Sequence, residues 1–159
     1  MSMLAKERYA AMAGKLKESG LKSTPQRLAI LRILAESREH PSVNDIWRRL
    51  QRRFPGISQA TVYRTIMLVK SLGEAVEIAF AGRGSRYDGR KPYSHPHIVC
   101  LECGRIIDPE LDSLREMTRE ITSQSGFEIK TFRLDFFGRC PDCRKKKKHE
   151  DLQKHRRKI

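Results

Sequence analysis

The sequence predicts an α+β protein built from two small domains, and three observations lead there. The first half shows helix starts and stops in quick succession and closes on a glycine-rich hairpin. The second half combines one long helical pattern with a run rich in aromatic and β-branched residues, as a mixed sheet needs. Four cysteines, in the pairs Cys100-Leu101-Glu102-Cys103 and Cys140-Pro141-Asp142-Cys143, lie within that second half.

The elements follow in order. Residues from Leu4 to Glu18 form helix readily, and Ser19-Gly20 stops them. Thr24 caps a second helix with Pro25 at its first position, and Leu28, Ile30, Leu31, Ile33 and Leu34 give it a broad apolar face. Ser42 with Asp45 is a capping-box start for a third helix carrying Ile46, Trp47 and Leu50, which Pro55-Gly56 ends. A fourth helix starts at Ser58, with Val62, Ile66 and Val69 on one face and Gln59, Tyr63, Arg64 and Lys70 on the other, and closes at Gly73. Ala75–Phe80 and Ser85–Asp88 flank Ala81-Gly82-Arg83-Gly84, a hairpin with a basic tip. Leu111, Leu114, Met117, Thr118 and Ile121 mark a later helix, and Phe127–Phe137 a strand in which Phe132, Leu134 and Phe136 alternate with Arg133 and Asp135.

Charge divides the chain the same way. The net charge is +14 over 159 residues. Residues 1–90 hold 17 Lys and Arg against 8 Asp and Glu, residues 91–143 hold 7 against 9, and residues 144–159 hold 9 against 2. A basic module precedes a slightly acidic, metal-bearing one, which points to a nucleic-acid partner for the first half. The tail, residues 145–159, contains Lys145 to Lys148 and reads as a solvated basic run, serving either salt-sensitive DNA affinity or solubility.

Two C-x-x-C turns supply four thiolates, the donor set of a closed, structural Zn2+ site. Neither a secretory signal nor an apolar span is evident. The chain is therefore expected in the reducing cytoplasm and away from membranes, where persistent disulfides are rare. The 36 residues between the pairs exceed a compact zinc ribbon, so the metal joins distant segments and closes a subdomain. His95 and His97, next to Cys100, are candidate ligands of another metal.

Two short helices with a polar, basic second face form a helix-turn-helix, and the hairpin after them is a wing. Candidate DNA contacts are Arg27, Ser58, Gln59, Thr61, Tyr63, Arg64, Arg83 and Arg86. Tyr63 and Arg64 are placed for bases, and Arg83 and Arg86 for phosphate. Tyr63 also reads as a residue half buried against its own domain.

Gly56-Ile57-Ser58-Gln59-Ala60-Thr61-Val62-Tyr63-Arg64-Thr65, then Ser94-His95-Pro96-His97-Ile98-Val99-Cys100-Leu101-Glu102-Cys103-Gly104, then Cys140-Pro141-Asp142-Cys143 resemble the ferric uptake regulator family, with coverage from residue 5 to 144. The resemblance implies a cytoplasmic, homodimeric bacterial repressor. Its winged-helix DNA-binding domain would be residues 1–88, its hinge about 89–94, and its α/β dimerisation domain, stapled by the four-cysteine zinc site, residues 95–144. The tail, 145–159, matches nothing in the family. The apolar sheet face is core by its pattern, and by the resemblance it pairs with a second subunit, so that a two-fold dimer reads a palindromic operator in double-stranded DNA.

The resemblance also carries a regulatory metal set onto His40, Asp88, His95, His97 and Asp108. Taken alone, His40 before Pro41 reads as a turn residue and Asp88 as a partner for Arg86. Three imidazoles and two carboxylates, without thiolate, suit Fe2+ or Mn2+ better than copper(I) and leave room for a sixth ligand. His40 belongs to the first half and Asp88 to its end, whereas His95, His97 and Asp108 belong to the second, so one ion would set the angle between domains. Aspartate at 108, and Ser94, Pro96 and Phe132 where many iron regulators place a further site, resemble the peroxide-sensing branch. The alternative is an iron- or manganese-responsive uptake repressor. Outside the family, a metal-dependent hydrolase lacks a clear nucleophile or oxyanion element, so no enzymatic activity is expected. A zinc-stapled RNA-binding protein leaves the helix-turn-helix and wing unexplained.

Overall fold

The computed structural model describes residues 1–79 and 84–146 and divides into two compact units, Met1–Ser94 and a second beginning at His95. The predicted wing tip, including Arg83, and most of the basic tail lie outside the described residues.

The first unit is a winged helix. Its helices are α1 (Met3–Glu18), α2 (Pro25–Glu36), α3 (Val43–Leu50) and α4 (Gln59–Ser71), followed by strands β1 (Val76–Ala79) and β2 (Ser85–Asp88). Each start has a side-chain cap that satisfies an otherwise unpaired N–H of the first turn. Ser2 accepts from Ala5 N, Thr24 from Arg27 N, Ser42 from Asp45 N and Ser58 from Thr61 N, and Asp45 returns the bond to Ser42 in a full capping box. The third helix ends at Leu50, five residues before Pro55, because residues 51–53 tighten into turns. Gly73 has φ +72°, the left-handed closure that glycine adopts without a Cβ clash. The predicted apolar faces meet: Ile30, Leu31, Leu34, Ile46, Val62, Ile66 and Val69 form one core with Met12 and Tyr87. The Trp47 indole N–H donates to Ile57 O at 2.9 Å, joining α3 to the turn before α4. The hairpin pairs antiparallel, with Val76 opposite Asp88.

The second unit holds β3 (His97–Cys100), β4 (Ile106–Ile107), α5 (Ser113–Ser125) and β5 (Asp135–Gly138). The sheet order is β4-β3-β5, antiparallel on one side of β3 and parallel on the other, the mixed sheet expected. One expectation changes here. The strand drawn over Phe127–Phe137 is laddered only at Asp135–Gly138, where β3 offers its edge, since periodicity states a preference and a ladder needs a neighbour. Met117 and Ile121 of α5 are exposed, as are Leu111 before it and Ile107, Phe136 and Phe137 of the sheet. Among the described residues of this unit, the buried apolar ones are Val99, Cys100 and Ile106.

Candidate metal centres and nucleic-acid interface

The second unit brings all four cysteines together. Their sulfurs lie within 4.8 Å of one another, and Cys103 Sγ is 3.7 Å from Cys140 Sγ. Tetrahedral bonds of ~2.3 Å from zinc to sulfur give edges of about 3.8 Å, whereas a disulfide would need about 2.05 Å. The four thiols are free, so the arrangement fits zinc and excludes the disulfide reading. Gly104 N donates to Cys100 O at 2.9 Å with φ +72° at Gly104, which folds the first C-x-x-C into a knuckle. Cys140 N donates to Cys100 Sγ at 3.3 Å and Leu101 N to Gly138 O at 2.8 Å, so backbone geometry holds the two knuckles face to face. Two reciprocal ion pairs cross between them, Arg139–Glu102 at 2.7 Å and Arg105–Asp142 at 2.8 Å. Backbone N–H groups of Cys103 and Cys140 bring the Cys100 thiol down to about 6, while hydrogen bonding with Cys140 and burial push the Cys143 thiol up. Four sulfurs this close ionise together only around a cation.

The histidine and carboxylate candidates fall into two sets. In the first unit, His40 Nε2 stands 3.3 Å from Asp88 Oδ2, both side chains 2% exposed. His40 sits at φ +49°, among the described residues the one non-glycine position with positive φ, a conformation that the surrounding packing must hold. Asp88 Oδ1 accepts from the N–H groups of Arg90 (2.7 Å) and Lys91 (3.0 Å), which turns Oδ2 toward His40. Tyr87 N donates to Pro41 O at 3.1 Å and so pins β2 beside the His40 turn. In the second unit, His95 Nε2 stands 3.6 Å from Asp108 Oδ1, and the His95 and His97 rings lie 4.4 Å apart. Ligands bonded at about 2.1 Å and at right angles sit about 3 Å apart, so each nitrogen–oxygen pair has the spacing of adjacent ligands of one hard or borderline ion. A turn role for His40 and a pairing of Asp88 with Arg86 do not account for the burial of both side chains, and Arg86 donates to Asp45.

The nucleic-acid candidates all belong to the first unit. Tyr63 is 50% exposed on α4, so half of its surface is open to a partner and half lies against its own domain. Gln59 and Arg64 share that helix: Gln59 donates to Asn44 Oδ1 at 3.4 Å and Arg64 Nε to Ala60 O at 3.2 Å. Ser58 and Thr61 form the α4 cap, and Arg27 donates to Lys22 O at 2.8 Å. Arg86, expected on phosphate, donates to Asp45 Oδ2 at 2.7 Å and ties the wing strand to the α3 capping box. Lys70 pairs with Glu77, which also accepts from Ser85 Oγ at 2.5 Å, so the wing is bound to α4 as well.

Two acids that matter were not singled out from the sequence. Glu74 is buried between Arg8 (2.6 Å) and Lys15 (2.7 Å), with Arg8 also reaching Gly89 O at 3.1 Å. Asp135 lies 3.3 Å from His97 Nδ1. The signal available for Asp135 was an acid, two residues after an arginine, opposite the aromatic face of its strand.

The model of the Ferric uptake regulator family matches residues 18–137. The chain is 37% identical over 137 residues to the peroxide operon regulator of Bacillus subtilis, covering 84% of this chain and 92% of that protein. Among solved structures, the Campylobacter jejuni peroxide stress regulator superposes with a TM-score of 0.67 at 30% identity, over 82% of this chain and 98% of that one. The Helicobacter pylori ferric uptake regulator, described as having three functional metal-binding sites, gives a TM-score of 0.78 at 23% identity over 91% and 97%, a likeness of fold. No helix among the described residues is long and apolar enough to cross a membrane.

Proposed function

The chain belongs to the ferric uptake regulator family, and on that premise we propose that it is a metal-dependent, DNA-binding transcriptional repressor that senses hydrogen peroxide through iron-catalysed oxidation at its regulatory ligands. The donor chemistry carries the reading: buried imidazole–carboxylate pairs, with aspartate rather than glutamate at 108, stand apart from four thiolates that fit zinc. Cys100, Cys103, Cys140 and Cys143 hold structural Zn2+. His40, Asp88, His95, His97 and Asp108 together hold one Fe2+ or Mn2+.

When bound, ferrous iron supplies the one-electron chemistry that turns peroxide into an oxidant next to its own ligands, and manganese does not. Nitrogen and oxygen ligands, with no thiolate among them, leave imidazole as the oxidisable group at the site. His40 and Asp88 come from one unit and His95, His97 and Asp108 from the other, so the full set is satisfied only in an arrangement both units share. That ligand set favours the DNA-competent conformation by as much as its affinity for the two states differs. Oxidation of His40 or His95 removes a donor and releases the constraint.

In that conformation Gln59, Tyr63 and Arg64 face bases, while Arg27, Ser58 and Thr61 face the backbone; Arg83, outside the described residues, is assigned to phosphate by its charge alone. A homodimer built on the apolar sheet face and α5 presents two such helices to a palindromic operator in the cytoplasm. No catalytic turnover of a substrate is assigned to it.

The test is mass spectrometry at residue level after a brief peroxide pulse on ferrous-loaded, zinc-stapled protein. One added oxygen on His40 or His95, absent with manganese, is the expected result. Intact histidines together with unchanged operator affinity would sink peroxide sensing and leave an iron- or manganese-responsive repressor.

A further inference from the structure

We infer that Asp135 is a positioning residue for His97, selecting the imidazole tautomer whose Nε2 accepts the regulatory metal; the inference rests on the metal reading above. The juxtaposition is written into the sheet. β3 and β5 pair in parallel with His97 directly opposite Asp135, and His97 N donates to Leu134 O at 3.0 Å. Residues opposite one another in a ladder project from the same face, so the two side chains meet there. His97 Nδ1 lies 3.3 Å from Asp135 Oδ1, with the side chains 6% and 8% exposed.

An ionised carboxylate accepts and cannot donate, so the shared proton belongs to Nδ1 of the neutral ring. The lone pair then falls on Nε2, the nitrogen a cation needs. Arg133, two residues before the strand begins, binds the second oxygen, Oδ2, and fixes the carboxylate's rotation. His95, ring to ring with His97, has Asp108 beside its Nε2, so the two histidines are given different jobs for their carboxylates. Asp108 supplies a ligand oxygen, whereas Asp135 approaches the opposite nitrogen of its histidine and acts through it.

The experiment uses full-length, zinc-loaded protein and Mn2+ alone as probe, comparing wild type with Asp135→Asn, Asp135→Glu and His97→Ala. Long-range proton–nitrogen NMR on the manganese-free protein reads the His97 tautomer, which a merely structural residue would not set. The expected pattern is an Nδ1–H tautomer in wild type, a mixture in Asp135→Asn with Mn2+ binding about 10 to 100-fold weaker, and recovery of most of that affinity in Asp135→Glu. An unchanged tautomer and Mn2+ affinity in Asp135→Asn, while His97→Ala loses binding, overturns the role of Asp135 and leaves the metal site standing. Wild-type Mn2+ affinity in His97→Ala overturns the metal reading at His97 instead. Zinc content and the thermal transition of each variant keep loss of fold apart from both.

Discussion

The two units solve the problem of a small core differently. The first buries Ile30, Leu31, Leu34, Ile46, Val62, Ile66 and Val69 against one another, with every helix start capped, and so can rely on apolar burial. The second leaves Ile107, Met117, Ile121, Phe136 and Phe137 exposed and draws four cysteines together where the first has side-chain packing. A segment that cannot close a core by itself needs a metal, a second copy, or both. The division matches the proposed roles, because a DNA reader must hold its shape alone whereas an assembly and sensing unit need hold its shape only when loaded and paired.

The largest expected effect breaks the comparison at the zinc. Stripping the metal with a strong chelator, or Cys143→Ser, removes binding free energy on the order of 10 kcal/mol from the second unit. Hydrogen exchange should then show the β3, β4 and β5 amides losing protection while α2 and α4 keep theirs. Loss of protection throughout would mean that the units are not independent.

A smaller effect sharpens it from the other side. Ile66→Ala leaves a cavity in the first unit and should cost about 2 to 5 kcal/mol of its stability in denaturant unfolding. Zinc content should stay the same, and a fall in zinc content would contradict separate cores.

The smallest concerns the charged clasp of the first unit. Burial alone would push the Glu74 carboxyl up, but hydrogen bonds from Lys15 and Arg8, and their charges, outweigh it and hold it below the usual carboxylate value. A depressed folded value means that the contribution is present above about pH 4.5 and lost as pH falls through the folded value. Glu74→Gln should therefore cost about 1 to 3 kcal/mol near neutral pH and progressively less in acid. Equal destabilisation at pH 7 and pH 3 would show that packing, and not charge, is what Glu74 supplies.

The features legible in the sequence are those whose signal is local. Thr24-Pro25, Ser42 with Asp45, Ser58 and Gly73 each mark a helix end through a bond or dihedral made within a few residues, and each lies at an end in the structure. Cysteine spacing announced a four-sulfur site because two C-x-x-C turns converge whatever lies between. The strand over Phe127–Phe137 was overdrawn, since alternation records a preference and a ladder requires a neighbour. The Arg86–Asp45 pair was not legible, because it joins residues 41 positions apart through a carboxylate that the Ser42 cap already orders.

What the sequence by itself determined is thus the helices of the first unit and their ends, the donor types and the family. These depend on short-range sterics, capping and ligand chemistry, all encoded in neighbouring residues. Only the tertiary structure decided that Asp135 serves His97, that Asp88 turns one oxygen to the hinge amides and the other to His40, and that Glu74 joins α1 to the chain before the wing. The pairings of His97 with Asp135, His40 with Asp88 and Arg8 with Glu74 join residues 38 to 66 positions apart. At such separations the partner is chosen by strand register and helix packing, which no local pattern specifies.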